Sequence, residues 1–452
     1  MNRYLDIGVV QIQHWLARTQ KLRGRRGASS MIRTATAPDT VAALIERYDG
    51  AVQPNSETGP IDGVIHLRVI TTDENVIATV ERDLLSHLRR KLPMAALRAV
   101  ETHGPNYAER GDAVARDWLA PVHEWSLARP CEWCRSSPGH QSVAQDAEND
   151  TKNDAENTHV LCVDCLERHR NAGTARGRVV SAPERDLLEL VGDGRSVPDE
   201  STELAALGLG GPDDDTHLAT VYADGNALGA FIRDVHRRHP KAMAQLPSKI
   251  HTATWAAVRA GLAKIDNGGP TMPIIAHLVG GDDILITVPA HGAWDFADAM
   301  TSAFTDALHD AVPQVRDTPT LTSGVVIHHH SFPLSATIDL AGDLLRAAKK
   351  AFPGIAALAW QAITHDGPTI SGRAAIPHTQ LRAHHAHLTA LADLPASQRQ
   401  QLARLGREGR PEDLDRQIER LGLGDVTAPF RTTASDTIPL HDALDMARWW
   451  RR

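Results

Sequence analysis

The sequence predicts an α+β protein of several domains, and three features carry that prediction. Two short runs rich in β-branched residues, 273–279 and 284–288, flank Gly280-Gly281-Asp282-Asp283, the pattern of a tight hairpin. A further apolar run starting at His217 ends in Asp224-Gly225-Asn226. Beyond it Leu228, Phe231, Ile232 and Val235 recur at helical spacing, predicting a helix from 227 to about 238. All four cysteines fall into two C-x-x-C pairs, Cys131 with Cys134 and Cys162 with Cys165.

The hairpin is the most informative of the three. Its glycine pair lets the backbone turn tightly and lets a bulky ligand approach it. Adjacent carboxylates at the tip repel each other, and they become favourable when a divalent cation shares them, because hard cations take oxygen ligands. Alone, the tetrapeptide is equally a solvated turn, and Asp224 alone is equally an N-cap for the helix that follows. A strand-end Asp combined with a carboxylate-tipped hairpin is the stronger signal. Palm-type nucleotidyltransferases and cyclases hold magnesium in this way.

The cysteine pairs read as a zinc site, since paired C-x-x-C motifs with no thiol left over are a strong signal in a cytosolic chain. Disulfides are disfavoured by a reducing compartment. Four thiolates leave no open position for chemistry, so the expected metal is one structural zinc. The stretch between the pairs is long and includes a polar, acidic run at 145–158, expected as a loop inserted into the knuckle.

On these residues the chain resembles a known family. Tyr222-Ala223-Asp224-Gly225-Asn226-Ala227-Leu228-Gly229 and the Gly-Gly-Asp-Asp hairpin look like the active palm of the large subunit of type III CRISPR effector complexes (the Cas-ten family, Cmr-two/Csm-one-like). That palm is related to GGDEF diguanylate cyclases and adenylyl cyclases. Leu321-Thr322-Ser323-Gly324 onward is similar to the family's later palm strand, 333–350 to its last palm helix, and 357–363 to its closing strand. At the N-terminus, the segment 4–29 is similar to the opening of the family's first palm.

The resemblance implies two ferredoxin-like palm domains of polymerase/cyclase type, a zinc knuckle and a C-terminal helical domain. The expected division is a first palm over 1–130 and the knuckle over 131–170. A helical segment and Gly/Asp-rich linker over 171–215 then lead to a catalytic palm over 216–365 and helices over 366–452. The first palm has no Gly-Gly-Asp-Asp equivalent and is expected to be inactive. Strand-like 63–70 and helix-like 76–92 belong to it, and Phe296, Met300, Phe304 and Leu308 form an apolar stripe expected to pack on the second sheet.

What the resemblance implies for chemistry is two-metal phosphoryl transfer. Asp224, Asp282 and Asp283 would hold two magnesium or manganese ions that activate a 3′-hydroxyl and steady a triphosphate. Gly225, Asn226, Gly229, Gly280 and Gly281 would let the backbone approach the nucleotide, and Ser323 would sit near the base. Lys349 would contact phosphate, with Lys350 as the alternative. The implied substrate is ATP and the product a cyclic oligoadenylate. The residues do not separate ATP from GTP. A stand-alone synthase and a non-catalytic RNA-binding scaffold are the other readings, the scaffold being opposed by the clustered carboxylates.

Charge and composition set further expectations. The net charge of −8 argues against a general polyanion binder. Arg18, Lys21, Arg23, Arg25, Arg26 and Arg33 nevertheless crowd one segment, read either as a solvated helix end or as a surface for guide or target RNA. The family implies sister type III subunits as partners, especially a small helical one. No apolar run approaches a membrane span of about 20 residues, so a cytoplasmic protein without membrane contact is expected. Family members commonly begin with an HD nuclease domain; this sequence opens on the first palm, so DNA cleavage is not expected. His328-His329-His330 alternates across a strand and makes a poor chelate.

Overall fold

The protein is described here from a computed structural model, which covers residues 1–452 apart from 59–61, 122–128, 145–157, 176–177, 192–193, 209–215, 240–244, 314, 316, 371, 432–437 and 451–452. The acidic insert at 145–158 and the Gly/Asp-rich linker lie almost wholly outside the described residues.

The first sheet begins with β1 (Asn2–Val10). Helices α1 (Ile12–Ala17), α2 (Leu22–Thr36) and α3 (Pro38–Ile45) follow, then β2 (Val52–Pro54), β3 (Val64–Val69), α4 (Glu74–Lys91), β4 (Ala96–Gly104) and β5 (Gly111–Trp118). The strand order is β2-β3-β1-β4-β5, with β1 antiparallel to both β3 and β4. Alternation along β1 puts Leu5 and Ile7 on the face that receives Ala28 and Ile32 of α2 and Leu84 and Leu88 of α4.

A small knuckle comes next: β6 (Gln141–Ala144), β7 (Thr158–Leu161) and α5 (Val163–Asn171). The hairpin β8 (Gly173–Ala175) with β9 (Arg178–Val180), then α6 (Ala182–Val191) and α7 (Ser201–Ala206), lead to the second sheet.

That sheet contains β10 (His217–Gly225), α8 (Leu228–Arg238), α9 (Leu246–Ile265), β11 (Ile275–Gly280), β12 (Asp283–Pro289), α10 (Ala293–Ala311) and β13 (Leu321–His329). It continues through α11 (Leu334–Ala351), β14 (Ala357–Ala362) and β15 (Ile376–Pro377). Its order, β11-β12-β10-β13-β14-β15, repeats in its first four strands the β2-β3-β1-β4 order of the first sheet. Both are ferredoxin-like. The parallel β13–β14 pair is bridged by α11, as a parallel connection requires.

The two faces of the second sheet do different work. Ala219, Val221 and Ala223 of β10 face α9 and α10, where Phe296, Met300, Phe304 and Leu308 are fully buried as their spacing predicts. The alternate residues Thr220, Tyr222 and Asp224 face α11. The C-terminal helices α12 (His378–Ala383), α13 (His385–Ala392), α14 (Ala396–Arg407), α15 (Pro411–Leu421) and α16 (Leu440–Ala447) extend the same core. Arg373 fastens them by lying 4.4 Å from the Trp360 ring and pairing with Asp366 at 2.7 Å, with Asp445 at 2.8 Å and with Asp442.

Helix α2 joins the parts. A Cβ at Gly27 would collide with the Arg168 carbonyl of α5, and one at Gly24 would lie 2.9 Å from the Trp133 ring, so only glycine lets the knuckle seat here. Arg26 donates to both oxygens of Glu184 in α6, at 2.7 and 2.9 Å, and to the Pro198 carbonyl at 2.7 Å. Arg33 makes a two-pronged pair with Asp186, both contacts at 2.7 Å. These contacts overturn both sequence readings of the basic segment. Arg25 and Arg26 are buried, Arg18 and Arg33 are half-buried and paired, and Lys21 alone of the six is exposed. The segment is an internal joint, because three domains converge on a helix whose small residues admit close packing.

Candidate active site

The second sheet brings the predicted aspartates together. Asp224 stands at the end of β10, opposite Thr322 of β13. Gly280 pairs with Asp283 across the hairpin, and Gly281 takes a positive φ of 62°, a conformation glycine adopts freely. The turn folds back over the end of β10, so that a Cβ on Gly225 would lie 2.6 Å from Asp282 Oδ2. Glycine at 225 is what lets the carboxylate lie against the strand end.

Electrostatics at this point are strained. Burial, and then the Asp224 charge, push the Asp282 carboxyl up to about 6 and the Asp283 carboxyl up to about 8. Burial followed by the charges of Asp283 and Asp224 also raises the Tyr222 phenol beneath them. The one cation inside the group is Lys349, from the last turn of α11. Its ammonium donates to Asp224 Oδ2 and, at 2.8 Å, to the Gly225 carbonyl. Lys349 thus stands beside the strand-end carboxylate, and Lys350 lies on a different side of the helix.

Two predicted nucleotide contacts prove to be otherwise engaged or out of reach. Asn226 is buried: its backbone N–H donates to the Thr320 carbonyl at 2.8 Å, and its side-chain amide donates to Thr320 Oγ1 at 2.8 Å, Thr322 Oγ1 at 2.8 Å and the Ile355 carbonyl at 3.1 Å. It ties the end of β10 to β13 rather than facing a ligand. Ser323 is fully buried, and since it pairs with Ala223 it lies on the α9–α10 face, opposite Asp224. The alternation of β13 settles this, because Thr322 takes the Asp224 side. Gly229, within the first turn of α8, is exposed, with Arg233 Nη1 3.5 Å from where its Cβ would be. The threonines holding Asn226 went unread in the sequence. Thr320 and Thr322 sit at alternate positions entering β13, the one pattern that signals a polar row on the Asp224 face.

The first palm shows what the second would look like without this machinery. Gln11, at φ 52°, begins α1 as Ala227, at φ 56°, begins α8. Counting back three residues from each puts Gly8 where the second palm has Asp224. A Cβ there would lie 2.7 Å from the Gly63 carbonyl, so the backbone itself closes the position.

The donor set formed by Asp224, Asp282 and Asp283 fits divalent cations: three hard oxygen ligands, two of them with carboxyls pushed up by burial and by the Asp224 charge, which a cation would offset. The cysteines fit zinc more tightly. Among the described residues, Cys131, Cys134, Cys162 and Cys165 are the one group of ligand side chains whose donor atoms all lie within 4.8 Å of one another. Cys134 and Cys162 Sγ are 3.7 Å apart. A tetrahedral centre with Zn–S bonds of about 2.3 Å calls for sulfurs about 3.8 Å apart. His328 is buried and bonded to Thr220 Oγ1 at 2.9 Å, so it serves the sheet. No helix among the described residues is long and apolar enough to cross a membrane.

Comparison with known proteins now bears on this geometry. Residues 217–354 match the family model Cas10/Cmr2, second palm domain. Comparison with curated proteins gives no match. Among solved structures, the whole chain follows a Csm1–Csm4 cassette in complex with cA4, at a TM-score of 0.56 and 11% identity over 70% of that chain. It also follows the same cassette in complex with pppApA, at a TM-score of 0.55 and 12% identity over 69% of that chain, and in complex with AMPPNP, at 0.53 and 12% over 70%. At such identities the likeness is one of fold. The class is therefore that of proteins carrying a palm domain of the Cas10/Cmr2 type. Within that class, residues 217–354 are similar to the second palm domain of the Cas10/Cmr2 family, and the chain as a whole shares its fold with Csm1 of the Csm1–Csm4 cassette.

Two outcomes follow from the site. In buffer free of magnesium and manganese, Asp282 and Asp283 keep protons in the folded state that they release on unfolding above about pH 4. Stability should therefore fall as pH rises through about 6 and 8. Asp282→Asn with Asp283→Asn should raise stability at pH 8 by on the order of a few kcal/mol, read as a higher melting temperature, and hardly at pH 5. Equal effects at both pH values would mean that the carboxyls are not crowded. Separately, elemental analysis should find about one zinc per chain, and Cys162→Ser should loosen α5 from α2, read as proteolytic cleavage in the knuckle. A metal-free protein with four freely reactive thiols would refute the centre.

Proposed function

We propose that this protein is a metal-dependent nucleotidyltransferase that joins ATP into cyclic oligoadenylates, acting as the large subunit of a type III CRISPR effector. The observation that carries the proposal is the meeting of Asp224, Asp282, Asp283 and Lys349 at one strand end of a Cas10/Cmr2 second palm. Support for the nucleotide comes from the Csm1–Csm4 structures, whose bound molecules are cA4, pppApA and AMPPNP. The partner of those Csm1 chains, Csm4, makes a subunit of that kind the expected partner here, with guide or target RNA reached through the complex.

Asp224, Asp282 and Asp283 would hold two magnesium or manganese ions, which supply charge neutralisation for a 3′-hydroxyl attacking an α-phosphate. The chain's own residues position the rest. The Gly280-Gly281 turn leaves open space over the carboxylates, since a Cβ at either glycine would meet nothing within 4 Å. Asn226 holds the strand end rigid by the three hydrogen bonds its side-chain amide donates. Lys349 restrains Asp224 and the Gly225 carbonyl, and exchanges that contact for phosphate oxygens when a triphosphate arrives. The first palm, with Gly8 in place of an aspartate, serves binding and assembly and not chemistry.

Incubation with labelled ATP and manganese should give oligoadenylate, and Asp282→Ala with Asp283→Ala should cut turnover by about 100-fold or more while the fold persists. Lys349→Ala should weaken ATP binding along with turnover, and Lys349→Arg should restore part of both. A double aspartate variant with wild-type turnover would remove the hairpin from the chemistry.

A further inference from the structure

A second charged site lies in the joint between the palms, away from the carboxylates. Arg25 points from α2 into a cavity of about 10 Å³ walled by Leu16 and Ala17 of α1, Leu285 of β12, and Leu334 and Ile338 of α11. Its Nε and Nη1 are both buried with no hydrogen-bond acceptor among the described residues. The neighbouring carboxylate is already committed, because Arg26 takes both oxygens of Glu184, at 2.7 and 2.9 Å. Other polar groups around the cavity are engaged too. His277 Nε2 is bonded to Thr287 Oγ1 at 2.9 Å, and the Ser181 hydroxyl donates to the Ala276 carbonyl at 2.7 Å. Two guanidiniums therefore share one carboxylate in a region that excludes solvent.

A guanidinium does not shed its proton readily, and a buried charge without a counter-charge is strongly destabilising. A water molecule would satisfy the free N–H groups and leave the charge unbalanced. A carboxylate or phosphate from solvent is too large for a space of one water-sized group. We propose that this cavity binds a single halide ion, chloride under ordinary conditions, ligated by Arg25 and clasped between the two palms. Burial and the adjacent Arg26 push the guanidinium down to about 9 in the absence of such an ion, which agrees with a missing counter-charge. Since the walls come from α1 and α2 on one side and β12 and α11 on the other, the halide would tie the first palm to the second.

The test uses the whole 452-residue chain, zinc-loaded and dialysed into sodium gluconate at fixed ionic strength. Replacing gluconate by chloride or bromide should raise the melting temperature along a saturating curve, as a ligand that binds only the folded state must. Crystals grown in bromide should show an anomalous peak within hydrogen-bond distance of Arg25. Arg25→Gln, which keeps one polar NH2 donor group and removes the charge, should lose the saturating response. Should that variant fail to fold, Ala17→Val keeps Arg25, fills the cavity and should lose the response as well. Equal melting in gluconate and chloride for the wild type, a bromide crystal with only water beside Arg25, or an unchanged halide response in Arg25→Gln would each overturn the site.

Discussion

Helix α2 can occupy the middle of this protein because Arg26 and Glu184 neutralise one another in an interior closed to water, with 2% and 0% of their side chains exposed. Losing one partner of such a pair leaves the other stranded, at a cost of about 3–5 kcal/mol. The pair fixes α2 to α6, the glycines on its other side admit α5 and Trp133, and its apolar residues close the first sheet. A second buried pair, Arg168 with Asp164 at 2.9 Å, repeats the device, with the Arg168 guanidinium 4.1 Å from the Trp15 ring. Arg25 aside, the joint between domains is thus built from charges satisfied internally, which makes it specific in register as well as closed.

That joint sets the surroundings of the second palm. Leu285, Leu334 and Ile338 pack against Ala17 of the first palm, covering part of the sheet face on which Asp224 stands. Below the carboxylates, a row of hydroxyls and imidazoles crosses the same face, from His277 through Thr287 and Thr220 to His328. Burial holds His328 down at about 4, so this row is neutral and adds no charge beneath the aspartates. The crowding of negative charge is confined to the strand end, where only Lys349 answers it.

Much of this was legible in the sequence where a local rule governs. Strand and hairpin around Gly280-Gly281-Asp282-Asp283, the helix after Asp224, the stripe on α10 and the cysteine pairs all depend on spacing alone, and each stands where that spacing puts it. Lys349 was found through resemblance and lies on Asp224. The misreadings share one cause. Whether Arg25 and Arg26 face solvent, or Ser323 faces Asp224, depends on which domain packs on which face, and no short pattern encodes that. The segment's charge density pointed outward; its interleaved Gly24, Gly27 and Ala28 were the contrary signal, marking a helix meant to be approached closely. Asn226 was misread for a related reason, since the threonines that occupy its amide lie almost a hundred residues away.

The central claim is that Asp224 and the Asp282–Asp283 turn form a divalent-cation site that receives a nucleoside triphosphate. Its most direct test is a crystal of the protein with manganese and a non-hydrolysable ATP analogue, measured for anomalous scattering from manganese. The account predicts manganese peaks ligated by these three carboxylates, with the triphosphate beside them and Lys349 turned toward it. Nucleotide bound elsewhere on the protein, with no manganese at the three aspartates, would contradict it.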